Sequence, residues 1–236
     1  MKCFALGLVA ILVITSCAAP GRRTTETRVL RPGEITDFRV LYAQNCSACH
    51  GVDGQGGLTV GVGNPVYLAI ADDATIRRIT ADGVPGTAML AFGQKAGGFL
   101  TDKQIDILVR GIRKLWAEPG AFDNFKPPYY AASRPGDAAR GRDVFTTFCF
   151  SCHGPDGRGG SIADSSYLAL VSDQHLRTVT ITGMPALGAP DWRGDLPNKP
   201  LSDDDVTDVV AWLAAQRTPF TVEAHPSALN SRGGSQ

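Results

Sequence analysis

The sequence predicts an all-α protein assembled from two tandem copies of one small domain, and three observations carry that expectation. The chain aligns on itself: Arg31-Pro32-Gly33-Glu34 matches Arg134-Pro135-Gly136-Asp137, and Gly51, Asp53, Gly54, Gly56 and Gly57 match Gly154, Asp156, Gly157, Gly159 and Gly160, all at an offset of 103. After a three-residue deletion, Tyr67-Leu68-Ala69, Asp73, Arg77, Thr80 and Gly83 match Tyr167-Leu168-Ala169, Asp173, Arg177, Thr180 and Gly183. A repeat of about 100 residues is too long for a solenoid unit and has the size of a domain. Each copy also closes on an apolar pattern of helical spacing, and little in either copy alternates as a strand does.

Taken in order, the elements begin with an export signal over residues 1–16. Met1-Lys2 is followed by an apolar run from Phe4 to Ile14 and by the small residues Thr15-Ser16-Cys17-Ala18. That run of 11 residues is too short to span a bilayer, which takes about 20. Ile14-Thr15-Ser16-Cys17 resembles a lipobox, in which the cysteine becomes the lipid-modified first residue, so Cys17 is the expected lipidation site. Residues 17–33, with four arginines against one glutamate, form a basic tether. The first domain covers 34–117, with helices expected over 35–47 and 73–82 and a last helix opened by the capping box Thr101 to Gln104. Ile105, Leu108, Val109 and Ile112 give that helix its apolar stripe. Residues 118–135, with Pro119, Pro127, Pro128 and Pro135, read as a linker in which Tyr129-Tyr130 packs on a domain face. The second domain covers 136–217, with helices over 138–150 and 173–182 and a last one opened by Ser202 to Asp205 and carrying Val206, Val209, Val210 and Leu213. A flexible polar tail, 218–236, ends the chain.

Chemistry enters through Cys46-Ser47-Ala48-Cys49-His50 and Cys149-Phe150-Ser151-Cys152-His153. Two thiols separated by two residues can add to the two vinyl groups of one porphyrin, and the adjacent histidine then offers its imidazole to the iron. Zinc, redox-dithiol and disulfide readings of Cys-x-x-Cys give no reason for a histidine after both pairs, and a zinc ribbon brings its second pair within about 20 residues. Six cysteines are present, and the four in the motifs leave only Cys3 and Cys17. Beyond Met1 there are two methionines, Met89 and Met184, one downstream of each motif in a loop rich in glycine and proline, so each copy owns one candidate sixth ligand.

The order helix, Cys-x-x-Cys-His, glycine-rich loop, helix, methionine loop, helix resembles class I cytochrome c, here twice over and behind a lipobox. The resemblance implies two class I cytochrome c domains, each a few helices around one covalently bound haem c, with His50 and Met89 on one iron and His153 and Met184 on the other. It implies a periplasmic, membrane-anchored electron carrier rather than an enzyme, whose redox partners the fold does not name. Two further readings stay open. One is a dihaem enzyme of the peroxidase or thiosulfate-oxidising type; the other is the cytochrome subunit of a quinol-oxidising or oxidase complex.

The formal net charge is zero, 23 basic against 23 acidic residues, and no basic, aromatic-rich patch points to nucleic acid. Residues 34–117 balance 8 against 8, whereas 137–217 carry 7 basic against 11 acidic groups, an acidic surface able to steer a basic partner. His175 and His225 read as surface residues. Trp192, Arg193, Tyr67 and Tyr167 are candidates to hydrogen-bond haem propionates. Finally, Gly141 aligns with Phe38 and Trp212 with Gly111, so large and small partners exchange places between the copies. Close helix crossings pair a residue lacking Cβ with a facing ring, which predicts Phe38 against Gly111 and Gly141 against Trp212.

Overall fold

A computed structural model describes residues 29–122, 125–155, 157, 159–194, 196 and 198–218. The signal peptide, Cys17, the tether up to residue 28, His225 and the tail beyond 218 therefore lie outside the described residues. Among the described residues ten α-helices follow in order: α1 Phe38–Asn45, α2 Ser47–His50, α3 Pro65–Ile70, α4 Asp73–Asp82, α5 Asp102–Trp116, α6 Ala138–Phe148, α7 Phe150–His153, α8 Ser165–Leu170, α9 Asp173–Thr182 and α10 Asp203–Ala215. Extended pairing there is limited to two isolated bridges, Gly93 with Leu100 and Met184 with Ala189, as an all-α chain requires.

Local chemistry sets the helix ends. Asp72 and Ser172 cap α4 and α9 through bonds from the Thr75 and His175 backbone N–H groups, satisfying donors that the first turn leaves free. Gly83 and Gly183, at φ 68° and 63°, stop the same helices in a conformation that strains a side chain-bearing residue. Both capping boxes expected at Thr101 and Ser202 are formed. The helices expected over 35–47 and 138–150 are each broken at the first motif cysteine: α1 and α6 end there, and the separate turns α2 and α7 carry the rest of the motif. The short α3 and α8 were not expected. Asn64 followed by Pro65, an N-cap and a first-turn proline, is the signal that marks α3.

Each copy has its own core. Leu41, Tyr42, Ile105, Leu108, Val109 and Ile112 centre the first; Val144, Phe145, Leu168, Ile181, Val206 and Leu213 centre the second. Both predicted crossings exist. A Cβ added at Gly111 would overlap the Phe38 ring, so α1 and α5 touch there with no room to spare. A Cβ added at Gly141 would stand 2.8 Å from Trp212 Cβ and would also run into the Asp208 carbonyl, so α10 presents main chain as well as tryptophan to that glycine. Trp212 stacks at 4.5 Å on Phe145, and the first core has Trp116 in the comparable place, 5.0 Å from Tyr42.

Arginines bind the helices together. Arg113 on α5 donates to the Leu68 and Ala71 carbonyls at the end of α3 and pairs with Asp73 at the start of α4. Arg217 does the same to Leu168, Val171 and Asp173 in the second copy. The acidic start of α10 is not an open anionic surface: Asp203 pairs with Arg177, Asp204 with Arg134, Asp205 with Arg140, and the fully buried Asp208 with both Arg134 and Arg140. The steering role suggested by the charge count is thereby reduced, because these carboxylates are already matched. The linker is tied to the second copy. Arg177 and Gln174 donate to the Tyr129 and Tyr130 carbonyls, and Phe122 packs on Trp192 at 5.5 Å. Tyr130 packs on the first core, while Tyr129 stays exposed.

Candidate functional site

Each site is built where a helix hands over to a tight turn. In the first, Cys46 closes α1 through its N–H to the Tyr42 carbonyl (2.8 Å), and the His50 N–H returns to the Cys46 carbonyl (3.0 Å). That turn presents Cys46 half-buried and Cys49 exposed, both as free thiols. The loop folds back on itself: the Leu58 N–H donates to the Cys49 carbonyl and the Tyr42 hydroxyl to the Gly51 carbonyl, both at 2.9 Å. The second site repeats the design with Cys149 N–H to Phe145, His153 N–H to Cys149, and Gly159 N–H to Cys152, each 2.8 Å.

The imidazoles carry the decisive geometry. His50 Nδ1 lies 2.7 Å from the Val60 carbonyl, and His153 Nδ1 lies 2.9 Å from the Gly160 carbonyl. A carbonyl oxygen can only accept, so Nδ1 bears the proton and Nε2 keeps its lone pair for a metal. Burial lowers the His50 pKa from its ordinary value, the bond to Val60 opposing that shift, so this ring is held in the neutral form that ligates. The carbonyl follows His50 by 10 residues and His153 by 7. The three-residue deletion between the copies thus falls inside the loop, and the fold still delivers a carbonyl to the same nitrogen. Val60 is buried whereas Gly160 is exposed, so the second ring is the less shielded.

Burial, reinforced by the neighbouring Cys49, pushes the Cys46 thiol up to about 12; burial and Cys152 push Cys149 up to about 11. Values so raised keep Cys46 and Cys149 as thiols at pH 7. Among the described residues no group of three or more His, Cys, Asp and Glu side chains could by itself hold a metal ion. The donor set therefore fits a porphyrin: two thiols to anchor it and one imidazole for its iron. Apolar side chains flank both sites without cover of their own, Leu58 at 86% and Leu90 at 70% exposure in the first and Leu187 at 72% in the second, as the faces of a flat apolar cofactor would require.

Met89 is half-buried in a turn closed by Val84 N–H to Met89 carbonyl (2.9 Å) and by Met89 N–H to Thr87 Oγ1 (3.2 Å). Met184 is half-buried in a tighter one, its N–H on the Ala189 carbonyl at 3.0 Å. The other candidates fare differently. Trp192 lies in the second core, 2% exposed, where it packs against Phe122. Arg193 already holds Asp191 through Nε and Nη2. Tyr67 is buried in the first core and Tyr167 is half-buried against the second. His175 is not a surface residue; it is half-buried, and burial lowers its pKa. Sequence reasoning missed Val60 and Gly160, because a main-chain carbonyl leaves no signature in the residue types.

With this geometry in hand, the comparisons with known proteins are decisive. The model of the family described as cytochrome c oxidase, cbb3-type, subunit III matches residues 33–110 and again residues 136–213. The chain belongs to that family. A cytochrome bc1 complex cytochrome c subunit of Mycobacterium bovis is 25% identical over 211 residues, covering 88% of this chain and 70% of the relative. The corresponding subunit of Corynebacterium diphtheriae is 22% identical over 229 residues, 91% of this chain and 78% of the relative. The cbb3-type cytochrome c oxidase subunit CcoP of an Azospirillum species is 32% identical over 141 residues, 53% of this chain and 41% of that protein. The protein is a dihaem class I cytochrome c that carries two covalently bound haems c and transfers electrons.

Proposed function

We propose that this cytochrome is an exported, lipid-anchored relay that accepts electrons from a membrane-bound quinol-oxidising partner and passes them to an oxidase or a second redox protein. The observation that carries the reading is the pair of imidazoles, each with Nδ1 committed to a loop carbonyl and Nε2 left for iron. Cys46 and Cys49 would anchor one haem and Cys149 and Cys152 the other. His50 with Met89 and His153 with Met184 would complete the iron coordination. The haem supplies a reversible one-electron couple; the chain's residues tune and insulate it. With a haem bound, the Met89 and Met184 thioethers and an apolar surround would favour the reduced iron, and His50 with Met89 and His153 with Met184 would hold the iron against oxygen or peroxide. This argues for electron transfer without bond chemistry, not for the peroxidase type. A thiosulfate-oxidising type that ligates iron through cysteine would need a thiol the motifs do not spare.

The relatives named as subunits of a bc1 complex support membership of a respiratory assembly over a free carrier. No helix among the described residues is long and apolar enough to cross a membrane. Attachment through Cys17, with the arginine-rich tether at an anionic lipid surface, accounts for residence at the periplasmic face. Purification from membranes under mild detergent tests the reading. A quinol-oxidising complex containing this chain, and loss of membrane association on Cys17→Ser, are expected. A monomeric haem protein recovered in the soluble fraction of both proteins would overturn it.

A further inference from the structure

The two copies are joined at a point that the repeat itself reveals. Asn64 caps α3, its Oδ1 accepting from the Val66 and Tyr67 N–H groups at 2.8 and 3.3 Å. In the second copy Asp164 makes the same cap to Ser166 and Tyr167 at 2.8 and 3.3 Å. An aspartate serves a helix N-terminus as well as an asparagine, so capping alone does not explain the amide. The amide nitrogen supplies what a carboxylate lacks. Nδ2 donates 3.0 Å to the Thr182 carbonyl, the last of α9, across 118 residues of sequence and inside a buried interface. Asn64 is 6% and Thr182 1% exposed. A carboxylate there would have no hydrogen to give.

Neighbouring positions diverge in the same sense. Val66 is buried in the second copy's core, and its counterpart Ser166 is exposed. Ile70 packs on that core, and its counterpart Leu170 is 70% exposed. A Cβ built at Gly56, in the loop of the first motif, would lie 3.9 Å from Ala186 in the methionine loop of the second copy. Bonds connect the two candidate sites almost without a break. His50 holds the Val60 carbonyl, the Asn64 N–H holds the Gly61 carbonyl at 3.0 Å, and the Asn64 side chain holds Thr182, two residues before Met184.

We propose that Asn64 is a positioning residue that locks the histidine loop of the first haem site to the methionine loop of the second. The inference rests on the assignment of His50 and Met184 as ligands, and it makes the two sites one rigid relay rather than two carriers on a string.

The test uses the full haem-loaded chain and two variants. Asn64→Ser keeps a capping oxygen but cannot reach Thr182; Asp164→Asn alters the equivalent cap, which has no such partner among the described residues. Asn64→Ser is expected to raise amide hydrogen exchange at Gly183 and Met184 by about fivefold, the equivalent of one net hydrogen bond, while Val66 and Tyr67 change little. It should also slow electron exchange between the two haems. Asp164→Asn should match the wild type. Should Asn64→Ser prove too unstable, Asn64→Thr retains a capping oxygen, falls short of Thr182 and carries the same expectation. Unchanged exchange at Gly183 and Met184, or a rise confined to α3, overturns the proposal. A wild-type spectrum lacking the iron–sulfur band would sink the ligand assignment instead, and the exchange comparison would still decide whether Asn64 docks the copies.

Discussion

Adding a methyl group at Gly141 probes the crossing of α6 and α10 directly. In an exposed helix interior Gly→Ala gains about 1 kcal/mol of helix propensity. At Gly141 the new Cβ would meet the Asp208 carbonyl and stand 2.8 Å from Trp212 Cβ. Neither obstacle can rotate away, so α6 and α10 must separate along the most extensive helix pairing among the described residues. Overpacking of this kind costs about 1–3 kcal/mol, and backbone obstruction belongs at the upper end, so the net effect is a loss of about 1–2 kcal/mol. For a domain of this size that is a drop of roughly 4–16 °C in the melting temperature. Gly111→Ala meets the Phe38 ring instead, a side chain at the start of α1 that can move. It should cost less, and Phe38→Ala in the same chain should relieve the overlap, giving a coupling energy in a double-mutant cycle. No side-chain substitution should similarly rescue Gly141→Ala. Thermal denaturation of the haem-loaded protein, followed at 222 nm and in the haem band, decides it. A Gly141→Ala protein as stable as the wild type would refute the argument that main chain sets this crossing.

Three more outcomes are expected. Met89→Ala and Met184→Ala should each remove about half of the weak red-end absorption of the oxidised protein, and a variant that leaves this band and the potentials untouched would show its methionine is no ligand. Burial alone would push the Asp208 carboxyl up, yet bonds from Arg134, the Asp137 N–H and Arg140 outweigh it and hold the pKa at about 2. Its stabilisation is therefore complete above about pH 4, the unfolded value, and is lost as pH falls through about 2; acid titrations of stability should show this loss in the wild type and not in Asp208→Asn, and equal acid sensitivity would count against the pairing. The second haem should have the lower potential, because Gly160 leaves His153 less shielded than Val60 leaves His50. Potentiometric titration of wild type and Met89→Ala assigns the two waves, and the opposite order would refute the ranking.

What could be read from the sequence was whatever a side chain signals locally. The helices expected over 73–82 and 173–182 coincide with α4 and α9. Thr101 with Gln104 and Ser202 with Asp205 opened the last helices. Six-residue helices are too short for a period to emerge, so α3 and α8 were missed although Asn64-Pro65 marked one of them. His175 was misjudged for another reason: burial is a property of the assembled copies, and no local pattern at the residue reports it. The carbonyls of Val60 and Gly160, which orient the imidazoles, and the Asn64 contact with Thr182 depend on main chain and on long-range packing, to which residue identity is blind.

The arginine clamps show how a duplicated domain can keep a contact while moving the residue that makes it. Arg113 stands 11 residues after the first residue of α5; Arg217 stands 14 after that of α10 and beyond the helix end at Ala215. Three residues are about one turn, or 4.5 Å of rise, which a guanidinium on its long stem can absorb. Anyone building a chimera by exchanging the final helices at their boundaries would therefore carry Arg113 into the second copy but leave Arg217 behind. The first copy would then lose its hold on Leu68, Ala71 and Asp73 although the spliced helix itself remained intact.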